Sequence, residues 1–186
     1  KENFELHSTL IYGLSKIFLF NVAQYFTARG LPIVYIRQFN TIGIGQREDF
    51  VFSSFCKNIT LIECGIIEPT IYVGDLTQER DFLDVRDASR AYEILLTKGV
   101  VGEIYNVGSG KAITIDSLLN SIIKNSKIKQ SQINIIQNKD LFLKEESLSK
   151  RLLADIDKLT KLGFTPKYKL EDTIKNMLEN ERNNVQ

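Results

Sequence analysis

The sequence predicts an α/β fold built on an incomplete doubly wound sheet, and three observations carry that expectation. Helix-period apolar segments alternate with short β-branched runs along the chain, the pattern of parallel strands joined by crossover helices. Two of those runs, residues 33–39 and 103–107, read as strands buried on both faces. Two such strands cannot make a doubly wound sheet, so the rest of it is expected upstream of Lys1, where the chain opens without an initiator methionine. Internal repeats and low-complexity linkers do not occur in the sequence.

The elements follow in order. Residues 11–29 are helical in period and apolar nearly all round, with Ile17, Phe18, Leu19, Phe20, Val22, Ala23, Tyr25 and Phe26. A helix with so little polar face is expected to be buried on more than one side, and Gly30 to end it. "LPIVYIRQF", from Leu31, is a short β-branched run and reads as a buried strand, and "NTIGIGQ", from Asn40, as a glycine-containing loop. Residues 50–64 form a helix with Phe52, Phe55, Ile59 and Ile62 on one stripe. "TIYVG" and "RDFLDV" read as short strands, after which Asp87 is expected to cap a helix through Leu96. "GEIYNVGS" is a further buried strand before a helix from Thr114 to about Lys124. "QINIIQ" is strand-like, Asp155 is expected to cap a short helix ending at Gly163, and "LEDTIKNMLENE" forms a last helix before a polar tail.

Composition narrows the function. Hydrophobic residues make up 43% of 186, enough to bury a core. Lys plus Arg (24) nearly cancels Asp plus Glu (23), which argues against a nucleic-acid or anionic-membrane surface. A local cationic pocket for a phosphorylated small molecule is compatible with that balance. Cys56 and Cys64 lie about two turns apart on one predicted helix, too far to bridge, and free thiols suit a reducing cytoplasm. No apolar run approaches the roughly 20 residues of a membrane span, and the polar start is unlike a signal peptide.

Among the motifs, "YGLSK" sets Tyr12 and Lys16 one turn apart on one helix face. An ammonium close to a phenol favours the phenolate, so such a pair can give and take a proton near neutrality. By itself Y-x-x-x-K also recurs by chance. "GSGK", Gly108 to Lys111, fails as a phosphate loop, because Tyr105 and Ala112 stand where a glycine and a magnesium-binding hydroxyl are needed. "GIGQRE" lacks the third glycine of a dinucleotide fingerprint. His7 is the sole histidine and there are two cysteines, so neither a histidine-based metal cluster nor a complete structural zinc site is expected. With no G-x-S-x-G, a serine-hydrolase triad is not expected either.

The order of the motifs is more specific than any one of them. "YGLSK", "RQFNTIGIGQ", "RDFLDVRDASRAY", "GEIYNVGSGKAITI" and "ADIDKLTKLGFTP" succeed one another from about Glu2 to Glu181. This succession resembles the extended short-chain dehydrogenase/reductase family of nucleotide-sugar epimerases, dehydratases and reductases. "FNTIGIGQREDFVFSSF" and "VGDLTQERDFLDVRD" look most like its GDP-4-keto-6-deoxy-mannose reductases. The resemblance implies the C-terminal part of a Rossmann-type doubly wound sheet plus a small α/β substrate-binding domain. Residues 1–44 and 99–125 would belong to the dinucleotide-binding part, and 45–98 and 126–186 to the substrate-binding part.

The implied activity is NAD(P)-dependent reduction of the 4-keto group of a GDP-linked 6-deoxyhexose, NADP being favoured over NAD. A 4-epimerase or 4,6-dehydratase is the alternative enzyme, and a non-catalytic nucleotide-sugar-binding or interaction module the alternative of another class. Tyr12 would be the general acid–base, and Lys16 would assist it while bonding the cofactor's ribose hydroxyls. Phe39 would lie at the nicotinamide end, and Asn40 and Arg80 would hold the substrate diphosphate. A forked guanidinium suits that contact, although beside Asp81 it is also what a surface charge looks like. Asn40 has its own plainer reading as a turn residue before Gly43. A homodimer through the 11–29 helix is implied as well. Two departures stand out: Ile44 replaces the family's usual proline in the Gly-Pro-Gly-Gln loop, and Glu145 falls near the position of a phosphate-contacting arginine, with Lys144 and Arg151 the nearest cations.

Overall fold

The structure is a computed structural model, and it describes residues 2–3, 8–138, 141 and 150–185. His7, Lys144 and Glu145 lie outside the described residues. Helix α1 spans Ile11–Thr27 and leads through Gly30, whose φ of 95° suits a residue without Cβ, into strand β1, Tyr35–Gln38. After β2 (Asn40–Ile42) come α2 (Val51–Glu63), β3 (Thr70–Val73), β4 (Glu79–Asp84) and α3 (Val85–Lys98). Then follow β5 (Ile104–Val107), β6 (Ala112–Thr114), α4 (Ile115–Lys124), a 3₁₀ turn at Gln130–Gln132, β7 (Asn134–Gln137), β8 (Arg151–Leu152), α5 (Asp157–Thr160) and α6 (Leu170–Val185).

Parallel pairing dominates, as the alternation of helices and strands predicts. β1 pairs with β5 from Tyr35 opposite Ile104 to Gln38 opposite Val107, and β3 pairs with β7. β4 is the most connected strand: β2 runs parallel along its C-terminal half, β6 antiparallel and β8 parallel along its N-terminal half. Two hydrophobic clusters hold these layers. One joins α2, α4 and α6 to β3 through Phe52, Ile59, Ile71, Leu118, Leu119 and Leu178. The other joins α3 to β5 and α5 through Ala91, Leu95, Tyr105, Leu159 and Phe164.

The structure corrects four local expectations. No residue of α1 is buried: its inward face meets β1 through Phe20 against Tyr35 (centroids 5.0 Å) and Thr27 Oγ1 to Tyr35 Oη (2.7 Å), and among the described residues much of its apolar surface stays exposed. β1 is not covered on both faces, since Ile36 and Gln38 are exposed; β4 is the strand buried on both sides, along with β5. Asn40 opens a strand rather than a loop, because β4 supplies a parallel partner 42 residues downstream, Phe82 opposite Asn40. The cap of α3 is Asp84, whose carboxylate accepts from the Arg86 amide; Asp87, in the first turn, instead accepts from the amides of Lys167 and Tyr168. Asp155 does accept the Asp157 amide at the start of α5 (3.2 Å), and Thr114 caps α4 through the Ser117 amide (3.0 Å).

Candidate active site

Ser8 starts the site by accepting the Leu10 amide (3.1 Å), which turns the chain into α1. Gly13 packs directly on that serine, and a Cβ there would come within 2.1 Å of Ser8 Oγ. The helix then sets Tyr12 and Lys16 on one face, with Lys16 Nζ 5.1 Å from the centre of the Tyr12 ring. Tyr12 is 73% exposed. Both side chains line a cleft of about 710 Å³ between α1 and β1, walled by Ile17, Phe20, Ile36 and Ile104 and edged by Arg37 and Gln38.

The cleft runs along β1 from Val34 to Gln38 and reaches β5 at its first residue, Ile104. Gln38 is fixed there, its amide donating to Thr41 Oγ1 (2.8 Å) and its carbonyl accepting from Tyr92 Oη (3.0 Å). Half-buried Phe39 donates its amide to Val107 O (2.9 Å) and carries the chain from the β1–β5 pair into β2. In the next loop Gln46 donates to Thr41 O (2.7 Å) and accepts from Ser53 Oγ (3.0 Å), tying the glycine turn to α2.

Asn40 and Arg80 lie on the paired strands β2 and β4, outside the cleft lining. Asn40 donates through Nδ2 to Asp81 O (3.0 Å). Arg80 is 9% exposed, with Nη1 donating to Glu79 O (2.8 Å) and Nη2 to Gln78 Oε1 (2.5 Å). Burial draws the Arg80 guanidinium below its ordinary range, against the opposing field of Asp75. The structure therefore brings Tyr12 together with Lys16, and it sets Asn40, next to Phe39 in the chain, on the strand that pairs with the one bearing Arg80.

The Gly108–Lys111 turn explains why its glycines are not a phosphate loop. The amides of Ser109 and Gly110 are given to the Asp81 carboxylate, at 2.7 and 3.0 Å. Sequence reasoning treated Asp81 only as the neighbour of Arg80; in a strand reading ERDFLD, no local signal set it apart from the other charged residues. It also missed Ser8 and Gln38. Among the described residues, no group of three or more His, Cys, Asp or Glu is placed to hold a metal ion, and no helix is long and apolar enough to cross a membrane. A hydroxyl and an ammonium on one face, beside a cleft of this volume, are a donor set that fits the vicinal hydroxyls of a ribose, so the residues present suit the nicotinamide end of a dinucleotide.

Comparison with known proteins agrees with this geometry. A family model described as GDP-mannose 4,6 dehydratase matches residues 1–177. GDP-6-deoxy-D-mannose reductase of Pseudomonas aeruginosa is 34% identical over 128 residues, which are 68% of this chain and 41% of that protein. The structure of RMD from Pseudomonas aeruginosa complexed with NADPH matches with a TM-score of 0.89 at 26% identity, over 98% of this chain and 59% of that one. UDP-glucuronic acid 4-epimerase from Bacillus cereus in complex with NAD matches with a TM-score of 0.81 at 25% identity, over 100% and 56%. The chain spans between 41% and 59% of the length of these three proteins.

Proposed function

This chain belongs to the GDP-mannose 4,6-dehydratase family, and on that footing we propose that it serves in an NAD(P)-dependent reductase acting on the 4-keto group of a GDP-linked 6-deoxyhexose. The observation that carries the reading is the Tyr12–Lys16 pair on the cleft between α1 and β1. A nicotinamide cofactor, when bound, would supply the hydride for C4. Tyr12 delivers the proton to the C4 oxygen as that oxygen gains charge, and the Lys16 ammonium beside it favours the phenolate left behind. Lys16 and Tyr12 also hold the ribose hydroxyls. Phe39 bounds the nicotinamide end, and Asn40 and Arg80 hold the substrate diphosphate.

NADP is favoured over NAD because the RMD structure, with the higher TM-score of the two, is described with NADPH. The GDP-linked substrate is supported by the 34% identity to GDP-6-deoxy-D-mannose reductase. A second reading, 4,6-dehydratase or 4-epimerase, is favoured by the description of the family model and by the likeness to the UDP-glucuronic acid 4-epimerase. We propose further a homodimer through α1, supported by its uncovered apolar face, and a cytoplasmic location, supported by two unbridged cysteines. The division into a dinucleotide-binding part (1–44, 99–125) and a substrate-binding part (45–98, 126–186) is retained as a proposal, with α4 packing against α2 and α6 across that boundary.

The test is to supply the full-length protein carrying this chain with NADPH and a GDP-linked 4-keto-6-deoxyhexose. Loss of reduced-cofactor absorbance with formation of the 4-hydroxy sugar is expected. Inertness toward that sugar, with conversion of GDP-mannose to a 4-keto product, would move the assignment to the dehydratases.

A further inference from the structure

Asp81 is fully buried on β4, and its carboxylate accepts four hydrogen bonds from two distant segments. Oδ1 receives the Ser109 amide (2.7 Å) and the Ser109 hydroxyl (2.6 Å). Oδ2 receives the amides of Gly110 (3.0 Å) and Ala154 (3.1 Å). Gly110, at φ 72°, aims its N–H alongside that of Ser109. Successive amides converging in this way form an anion-binding concavity. Here the chain fills the concavity with its own carboxylate. The fit is close, since a Cβ on Gly108 would lie 2.5 Å from Ala154 Cβ and 2.9 Å from Asp81 Oδ2.

The main chain of the same residue faces the candidate phosphate contacts. Its carbonyl accepts the Asn40 side chain (3.0 Å), and Arg80 precedes it on β4. One residue thus joins the start of β2, the strand bearing Arg80, the turn after β5 and the segment between β8 and α5. Moving the carboxylate would shift the backbone to which Asn40 is tied and from which Arg80 projects.

We propose that Asp81 is a positioning residue for the substrate diphosphate: seated among the amides of Ser109, Gly110 and Ala154, it fixes the β4 backbone that orients Asn40 and Arg80. The inference rests on the assignment of Asn40 and Arg80 to the diphosphate. It distinguishes Asp81 from a residue that only stabilises the fold, because loss of folded fraction lowers apparent turnover and leaves KM unchanged.

The experiment measures KM for the sugar nucleotide in the full-length protein and in Asp81→Ala, Ser109→Ala and Arg80→Ala. Asp81→Ala keeps Cβ and removes a group the size of formate. Its KM is expected to rise by about tenfold, with cofactor affinity unchanged. Added formate is expected to bring KM back toward the parent value, and chloride at equal ionic strength is not. Ser109→Ala, which removes one of the four bonds, is expected to raise KM about threefold at unchanged kcat, and it decides the matter if Asp81→Ala does not fold. Raised KM in Arg80→Ala with parental KM in the Asp81 and Ser109 variants overturns the positioning role alone. Parental KM in Arg80→Ala as well overturns the assignment of the phosphate contacts, and this inference with it.

Discussion

Under the proposed function, Arg80 on β4 is a side chain that meets the substrate diphosphate. Its guanidinium is buried and draped over carbonyl oxygens of Gln78 and Glu79, a low-dielectric setting in which an arriving phosphate is strongly attracted. Charge-assisted hydrogen bonds are worth about 1.5–3 kcal/mol. Arg80→Ala is therefore expected to raise KM for the sugar nucleotide by roughly tenfold or more while leaving that for NADPH unchanged, as steady-state kinetics on each substrate would show. Equal GDP affinity in variant and parent would return Arg80 to a purely structural role. That Tyr12 and Lys16 share one face was legible in the sequence because helical geometry sets residues four apart together, whereas their proposed roles came from the order of the motifs. Asp81 was not legible, because its partners are 28 to 73 residues away and only folding assembles them.

The same contrast holds for whole elements. Helices α2, α4 and α6 and strands β3, β5 and β7 announce themselves by local periodicity. β2, β6 and β8 have three residues or fewer and exist because β4 pairs with them, which no local pattern encodes. The α3 cap also turned on a distant partner: the Thr173 hydroxyl of α6 donates to Asp84 Oδ2 (2.7 Å), and Arg86 adds two side-chain bonds. Burial by itself pushes the Asp84 carboxyl up, but the bonds from Arg86 and Thr173 outweigh it and hold it below the usual carboxylate range. With the folded value depressed, Asp84 contributes stability above the unfolded value of about 3.9, and that contribution is lost as pH falls through the folded value. Asp84→Ala is expected to cost about 1–2 kcal/mol at neutral pH, a deficit that narrows below about pH 4 in denaturant titrations. Conversely, Thr60 on α2 is fully buried, and its hydroxyl is the buried side-chain polar atom that has no hydrogen-bond partner among the described residues. Replacing that hydroxyl by a methyl leaves the β-branch intact, so Thr60→Val is expected to raise the denaturant midpoint, by an equivalent of about 1 kcal/mol. A lowered midpoint would mean that the hydroxyl is satisfied.

At the scale of the molecule the uncovered surfaces are concentrated on α1. Ile11 is 86% and Phe18 66% exposed, and Leu14, Leu19, Tyr25 and Phe26 extend the same apolar surface. Contiguous exposed apolar area of this kind marks an interaction site. Light scattering on the full-length protein is expected to give the mass of a dimer, and Phe18→Asp to give that of a monomer; a parent that scatters as a monomer at micromolar concentration contradicts the dimer. The central claim, that the chain carries the proton-transfer half of a nucleotide-sugar reductase, is tested most directly at Tyr12. Tyr12→Phe keeps the ring and removes only the transferable proton. In the full-length protein its turnover is expected to fall by about a hundredfold or more, with NADPH still bound; turnover within a few-fold of the parent would remove Tyr12 from the chemistry and contradict the account.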